Sequence, residues 1–221
     1  MTSNDASACP VDHETRSAWL AQQKGDQHKA PGHLSTDRVI SSIPRFGASA
    51  KDDSSQSAPV DPSTQANWVY PSPAQFYSAM ARKNHNPQEQ DMNVVVPIHN
   101  AVNERAWQQI LQWERIADKG KSYQTCGGPQ LVSFKGKPQE LTWRAWFKTF
   151  LGYERPFDRH DWEVDRCGKR VRYIIDFYSG RSDMKGLAFY LDVRPAPSDW
   201  EGIRMRFLRF WSRPPQPPKQ Q

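Results

Sequence analysis

The chain has 221 residues and a formal net charge of +6, from 30 Lys and Arg against 24 Asp and Glu. A mean hydropathy of −0.85, with no apolar run near the ~20 residues that a spanning helix needs, argues against an integral membrane protein. Nine Trp, seven Tyr and ten Phe can fill a hydrophobic core, so the chain is neither collagen-like nor wholly disordered.

The basic balance suits a partner with negative charge, such as nucleic acid, anionic lipid or a ligand with carboxylates. Cys9, Cys126 and Cys167 are too few and too widely spaced to predict a disulfide framework or a zinc site. The N-terminal residues show neither an apolar secretory core nor an Arg-rich presequence. Composition alone therefore predicts a cytosolic protein.

The ends of the chain differ in composition from its middle. Residues 1–65 are rich in Ser, Asp, Gln, Ala and Pro, which predicts a flexible N-terminal arm. Residues 214–221 predict a disordered, proline-rich tail, and a single domain is expected over 66–213. Within the arm, the apolar residues of segment 34–44 could dock on this domain.

The first half of the predicted domain carries two helices. Ser72-Pro73 supplies the cap and the first-turn proline of one helix. The apolar run 94–97 is typical of a strand, and the second helix is predicted to begin after His99-Asn100 and to end at Lys119-Gly120. A strand is predicted over 131–134.

The second half predicts a third helix over 142–152, with an apolar stripe at helical spacing through which it is expected to pack. Residues 171–178 and 188–194 predict two antiparallel strands. Ser198, with Glu201 three residues on, forms a capping-box pattern for a last helix. Helices and strands mix without βαβ alternation, so we expect an α+β domain with helices packed on a small antiparallel sheet. The stripe consists of Trp143, Trp146, Phe147, Phe150 and Leu151.

The last helix interleaves Arg204, Arg206 and Arg209 with aromatic residues. This pattern is typical of a helix adsorbed to an anionic membrane surface. A helix packed on one side, with solvated arginines on the other, has the same pattern. The sequence leaves both interpretations open.

Two residues are candidate iron ligands. Cys9 precedes Pro10 in the polar arm, where a thiolate could bind ferric haem and the proline would expose the sulfur. His99 follows an apolar run and precedes a good N-cap, so the helix dipole is expected to keep its imidazole neutral, as metal binding requires. An ordinary loop or capping histidine is the alternative interpretation.

Two further candidates are charged or titratable. Glu104 is expected in the first helical turn after His99, where it could orient the histidine or a substrate cysteine. His160 lies in a dense block of charges between Phe157 and Trp162, a pattern expected at a site but shared by salt-bridged surface turns. The chain has no G-x-S-x-G, P-loop or G-x-G-x-x-G motif.

Seven segments, in this order, resemble the mitochondrial holocytochrome c-type synthases, also called cytochrome c haem lyases. The string PFDRHDW at 156–162 is specific enough to exclude a chance match. The resemblance covers 67–211 and also includes the Cys-Pro-Val motif of the arm and residues 41–44. The segments are Cys9-Pro10-Val11, 67–72, His99-Asn100 with Asn103-Glu104, 156–162, 165–168, 171–173 and 192–196.

The resemblance implies a peripheral enzyme of the mitochondrial inner membrane, facing the intermembrane space, which replaces the cytosolic prediction. Such an enzyme binds reduced haem b and joins its vinyl groups, through thioether bonds, to the C-x-x-C-H cysteines of apocytochrome c1, apocytochrome c or both. By resemblance, His99 ligates the haem iron and acts with Asn100 and Glu104 in catalysis. The other matched positions around haem or the apocytochrome are Trp68, His160 and Arg166, with Cys9 in a haem-binding Cys-Pro motif.

Substrate choice and rival functions also depend on the arm. A single Cys-Pro-Val near the start resembles the fungal members directed to cytochrome c1 more than those for cytochrome c. The main alternative is a non-catalytic haem carrier or sensor that binds haem through Cys9. A basic RNA-binding module with stacking tryptophans is a third hypothesis, and the chain lacks an RNP-like motif for it.

Overall fold

A computed structural model of the chain describes residues 34–47, 67–83, 87–138, 140–179 and 189–211. Cys9, with the rest of the Cys-Pro-Val motif, lies outside the described residues. So do most of the predicted arm and the predicted tail at 214–221. The predicted binding of haem through Cys9 therefore has no structural description.

The described elements form two antiparallel sheets and a set of helices. Strands β1 and β2 pair with each other, and β3 to β6 form a four-stranded sheet in chain order. This arrangement confirms the predicted α+β class. The elements are β1 (Ile40–Pro44), β2 (Asn67–Val69), α1 (Pro73–Arg82), α2 (Met92–Asp118), α3 (Lys121–Cys126), β3 (Gln130–Gly136), α4 (Trp143–Phe150), β4 (Asp158–Arg166), β5 (Lys169–Ser179), β6 (Phe189–Pro195) and α5 (Trp200–Trp211).

The four-stranded sheet has two chemically different faces, because successive residues of a strand point to opposite sides. The face that we call the core face packs against α2 and α5, and Trp113 of α2 donates from Nε1 to the carbonyl of Val193 at 2.7 Å. The opposite, charged face carries acidic and basic residues that pair with one another within and between strands. The core face contributes Trp162, Val164, Tyr173, Ile175, Phe177, Leu191 and Val193 to the hydrophobic core.

Several local predictions are confirmed. Ser72 accepts from the backbone of Gln75, whose side chain accepts in return from Ser72, so α1 has a complete capping box. Helix α2 ends as predicted, with Lys119 in the left-handed region. The segment 34–44 docks as expected: β1 pairs with β2, and Ile43 is buried in the core.

Strand β4 is absent from the sequence-based prediction, which treats 156–162 as a polar block. The structure pairs β4 with both β3 and β5. Arg159 and Asp161 point to the charged face and bind each other at 2.9 Å, while Trp162 and Val164 are buried on the core face. The strand is not recognised from the sequence because charged residues occupy alternate positions, and the residues that pair with these charges are brought to them only by the folded sheet.

The predicted strand over 94–97 is wrong, since α2 begins at Met92 and includes this run. Val94, Val95 and Val96 are buried, and burial overrides the weak helix propensity of β-branched residues. Pro97 is exposed, so its missing N–H affects a solvent-facing position in the early turns of the helix. His99 thus lies within α2, and the predicted effect of a helix N-terminus on its ring does not apply.

The predicted packing of the stripe at 142–152 is also wrong. Its residues are exposed, from 51% for Phe147 to 75% for Phe150, whereas α4 buries Ala145. Helix α5 likewise exposes an aromatic face and buries Glu201, Gly202 and Met205. The predicted cap Ser198 is corrected to Asp199, whose carboxylate accepts from the backbone N–H of Gly202 at 2.6 Å.

Cys126 and Cys167 form a disulfide that joins the end of α3 to the turn between β4 and β5. This bond is not predictable from spacing, because the two residues are 41 positions apart and the β4–β5 hairpin brings them together. Cys167 and Gly168 both have positive φ, as a two-residue type I′ hairpin turn requires. Within the described residues, no helix is long and apolar enough to cross a membrane.

Candidate functional site

Three elements converge on His99. Its ring packs edge to face against Phe76 of α1, with 5.2 Å between ring centroids. His160 of β4 lies close enough to interact electrostatically with the ring. Asn103, one helical turn further along α2, places its side-chain amide 3.3 Å from Nδ1 of His99. Helices α1 and α2 and strand β4 therefore form the surroundings of one imidazole.

His99 is accessible to solvent on one side and crowded by protein on the others. The surrounding protein, aided by His160 and opposed by Asp158, lowers the pKa of His99 to about 4. The imidazole is therefore neutral at neutral pH and keeps a nitrogen lone pair for a ligand. The sequence analysis expects the same state but assigns it to a helix dipole that the structure does not place there.

His160 is held in a fixed orientation. Its Nε2 lies 3.0 Å from a carboxylate oxygen of Asp158, and its ring packs edge to face on Phe177 at 5.0 Å. Gly136, its partner on β3, leaves the side next to the ring without a side chain. Nδ1 of His160 is buried with no hydrogen-bond partner among the described residues.

Of the other buried polar atoms that lack hydrogen-bond partners within the described part of the chain, two belong to residues one or two positions from these histidines. They are Oδ1 of Asn100, next to His99, and Nε1 of Trp162, which shares the core face with His160. Unpaired buried polar atoms are rare in folded proteins and indicate a missing ligand or water. The unpaired atoms of Asn100 and His160 beside the neutral His99 indicate a ligand that brings polar groups of its own.

An aromatic row extends this region along the sheet. Trp68 of β2 packs edge to face on Phe134 of β3 at 5.5 Å, and Phe134 lies 6.3 Å from Trp162. Trp68 also donates from Nε1 to the carbonyl of Leu131 and lies under the guanidinium of Arg45. Trp162 is buried, but the half-buried Trp68 and the exposed Phe134 can contact a flat ligand that is largely apolar.

Glu104 is fully occupied by donors from β1 and from Tyr70, the residue that follows β2. Its Oε1 accepts from Ser41 at 2.5 Å, from the backbone N–H of Ser42 at 3.1 Å and from the hydroxyl of Tyr70 at 2.9 Å. Its Oε2 accepts from the hydroxyl of Ser42. Burial would raise the pKa of Glu104, but these bonds together hold it below its usual value. Glu104 thus fastens the small sheet to α2 near His99.

We expect Glu104→Gln to lower the free energy of unfolding by about 1–3 kcal/mol at neutral pH, because an amide offers one acceptor oxygen to these donors. Because the pKa of Glu104 is lower in the folded than in the unfolded protein, its ionised form stabilises the fold at any pH above the unfolded-state pKa. This stabilisation is lost as the pH falls through the folded-state pKa. The difference between wild type and variant, measured by urea unfolding, should therefore shrink in acid. Glu163→Gln, at an exposed carboxylate, is the matched control, and a pH-independent difference for Glu104 would contradict this role.

Arg166 lies at the other end of β4, roughly 20 Å from His160 at about 3.3 Å per residue. Its guanidinium binds Glu114 and contacts Glu201 at 2.8 Å, and all three side chains are buried. Tyr173 donates its hydroxyl to Glu114 from the same cluster. The structure thus places Arg166 in the core and away from His99.

The structure brings together most of the residues that the sequence singles out. His99, Asn100 and His160 meet at one place, Trp68 belongs to the adjoining aromatic row, and Glu104 anchors the wall of the site. Sequence reasoning gives no role to Asn103, Phe76 or Phe134. Asn103 stands four residues after His99, and this helical spacing is the signal that could have identified it.

Comparison with known proteins gives a consistent result. Residues 3–210 match the family model described as cytochrome c/c1 heme lyase. The chain is 49% identical over 206 residues to a Chaetomium thermophilum protein named "Putative holocytochrome-c1 synthase", covering 89% of this chain and 70% of that protein.

Two Schizosaccharomyces pombe proteins are also similar. The one named "Putative holocytochrome-c1 synthase" is 44% identical over 216 residues, which cover 95% of this chain and 93% of that protein. The one named "Putative holocytochrome-c synthase" is 35% identical over 189 residues, which cover 80% of this chain and 44% of that protein. No solved structure matches the chain.

Proposed function

The chain belongs to the cytochrome c/c1 haem lyase family, and from this membership we propose that it is a holocytochrome synthase acting on apocytochrome c1, on apocytochrome c or on both. The family that the residues predict is thereby confirmed. The observation that supports the activity most strongly is the neutral, solvent-accessible His99 beside buried polar atoms without partners.

In this proposal haem is a substrate, whose iron takes an axial ligand and whose vinyl groups react with thiols. His99 ligates the iron through Nε2, and Trp68 and Phe134 contact the apolar edge of the macrocycle. The S–H bond of each substrate cysteine adds across a vinyl C=C bond, so that sulfur bonds to one carbon and hydrogen to the other. The protein contributes mainly by holding these groups in position.

Asn103 positions His99 in this scheme. When its amide oxygen accepts the Nδ1–H of His99, the proton is fixed on Nδ1 and the lone pair of Nε2 faces outward. In the structure the amide nitrogen Nδ2 of Asn103 lies 3.3 Å from Nδ1 of His99. A half turn of the side chain exchanges amide nitrogen and oxygen and brings the acceptor oxygen to this position. Asn103 is thus proposed as a positioning residue.

We expect Asn103→Ala to weaken haem binding about 10-fold, because outer partners of a metal ligand are worth 10- to 100-fold in affinity. Asn103→Asp provides a stronger acceptor for Nδ1–H and should retain wild-type affinity. Haem titration followed in the Soret region measures both variants. Equal losses in the two variants would contradict a role in orienting the ring.

The similarity to proteins of one organism supports apocytochrome c1 as the preferred substrate. The chain is 44% identical to the S. pombe protein named for cytochrome c1 and 35% identical to the one named for cytochrome c. The single Cys-Pro-Val motif points in the same direction. We therefore propose preference for apocytochrome c1, with reduced haem b as the co-substrate.

The proposed location is the intermembrane-space side of the mitochondrial inner membrane, where the enzyme would bind peripherally. The Cys126–Cys167 disulfide supports a compartment other than the cytosol, in which structural disulfides are rare. Family membership supports mitochondria through the substrates that such enzymes use.

Coexpression with apocytochrome c1 and, separately, with apocytochrome c tests the activity and the preference together. Haem staining after denaturing electrophoresis should show covalent haem on apocytochrome c1 and less on apocytochrome c. A substrate whose C-x-x-C-H cysteines are replaced by serine should not stain. Haem that copurifies with the protein but never reaches either substrate would favour the carrier hypothesis, in which Cys9→Ser removes haem and His99→Ala does not.

A further inference from the structure

An arginine-lined cavity of about 230 Å³ lies on the charged face of the sheet. Arg159, Arg172 and Arg194 enter it from β4, β5 and β6, and Arg144 and Arg206 enter it from α4 and α5. The other lining residues are neutral, so the wall holds five arginines and no carboxylate. The lining is completed by Thr142, Trp143, Ile174, Pro197 and Ser198.

Acidic residues behind the wall pair with part of this charge. Asp161 pairs with Arg159 at 2.9 Å and with Arg172 at 3.5 Å. Arg194 pairs with Asp176 and Asp192, and Arg144 pairs with Asp192 at 3.6 Å. Arg206 differs, because it donates to the carbonyl of Pro195 at 2.7 Å and has no ion pair among the described residues. Burial, together with Arg194 and Arg144, lowers the pKa of Arg206, as expected where positive charge is not neutralised.

The two helices that line the cavity also expose aromatic faces. Trp143 and Phe150 of α4 are 69% and 75% exposed, and Phe210 and Trp211 of α5 are 84% and 72% exposed. Exposed apolar surface of this extent marks an interaction site. Tryptophan beside arginine is typical of the head-group region of a membrane, where the ring lies at the interface and the guanidinium binds phosphate.

We propose that this cavity binds the phosphate group of an anionic membrane lipid, with the aromatic faces of α4 and α5 in the head-group region beside it. A free phosphate ion would match the arginines but leave these faces uncovered, so the lipid accounts for both features. His99 and His160 lie on the other side of the sheet, since His160 is on the core face and Arg159 on the charged face. The surface is thus separate from the proposed haem site, and its test needs no haem.

Sedimentation with vesicles tests the proposal on the full chain. The protein should bind to vesicles of phosphatidylcholine mixed with an equal amount of phosphatidylglycerol. It should bind much less to vesicles of phosphatidylcholine alone. Arg144→Gln with Arg206→Gln should weaken binding about 30-fold, at roughly 1 kcal/mol per basic residue near the surface. Arg82→Gln with Arg105→Gln removes the same charge from exposed positions of α1 and α2 and should bind like wild type. Equal losses in the two double variants would overturn the cavity as the binding site.

A second pair of variants tests the aromatic faces. Phe210→Ser should weaken vesicle binding about 10-fold, whereas Val39→Ser, at an exposed apolar residue outside the surface, should not change it. Soluble glycerol phosphate competes for the cavity but not for the aromatic faces, so it should displace the protein from vesicles only in part. Complete displacement by this compound, or binding unchanged in Phe210→Ser, would show that the aromatic faces do not contribute and would overturn the membrane proposal. If apocytochrome displaces the protein from vesicles, and the double variant of Arg144 and Arg206 is not displaced, the surface would bind the protein substrate and not a lipid.

Discussion

Replacement of His99 by alanine is expected to remove haem from the protein and to abolish holocytochrome formation. His99 is the neutral imidazole of the proposed site, and its loss leaves the iron without a ligand from this chain in the scheme proposed here. Haem affinity should fall by more than about 100-fold, since even the loss of a residue that hydrogen-bonds to a metal ligand lowers metal affinity 10- to 100-fold. The low-spin Soret band of the copurified complex and the haem-stained product measure the two effects.

The fold should survive this substitution. His99 is accessible to solvent and is not part of the buried cluster that forms the core, so urea unfolding should give nearly the wild-type free energy. Added imidazole should restore part of the Soret band, because it can fill the space that the side chain leaves. Haem retained at wild-type affinity in His99→Ala would show that another residue ligates the iron.

Elements with a local code were predictable from the sequence. The capping box of α1 and the left-handed end of α2 depend only on neighbouring residues, and the structure shows both. Strand β5 combines a continuous run of buried residues with β-branched and aromatic types, which identifies it without reference to the rest of the fold. In each case the physical cause lies within a few residues of the element itself.

Elements whose stability comes from distant residues were not predictable. Strand β4 needs partners on β3 and β5 before its alternate charges are satisfied, and the first turns of α2 form because burial outweighs the preference of three valines. The stripe of α4 has the periodicity of a packed helix, yet its aromatic rings face solvent. Periodicity identifies an apolar face but not what covers it.

The same distinction applies to the candidate site. His99 and His160 are each notable in the sequence, but their proximity depends on how β4 meets α2. The hydrogen bonds to Glu104 depend on Ser41 of β1 and on Tyr70, which follows β2 and is distant in sequence. From the sequence alone, Glu104 could act directly in catalysis. In the structure its carboxylate accepts hydrogen bonds on both oxygens and joins the small sheet to α2.

Replacement of Arg166 is the second substitution for which we expect a large effect, here on the free energy of unfolding, because its guanidinium neutralises buried carboxylates. In Arg166→Met, Glu201 keeps Lys169 and Arg204 as partners, whereas Glu114 is left with the hydroxyl of Tyr173 among the described residues. An unpaired buried charge costs about 3–5 kcal/mol, so the free energy of unfolding should fall by this amount. Urea unfolding measures it, and Arg155→Met, at an exposed arginine, should cost less than about 1 kcal/mol.

A compensating variant separates a structural role from contact with haem. Glu114→Gln added to Arg166→Met removes the unpaired charge and should recover about half of the lost stability, since neutral groups replace the buried pair at lower cost. If Arg166 acts through the core, haem affinity should recover in parallel with stability in the double variant. If Arg166 instead contacts haem, Arg166→Met will lose haem with little change in unfolding, and Glu114→Gln will not restore it. The buried contacts of the guanidinium with Glu114 and Glu201 lead us to expect the first result.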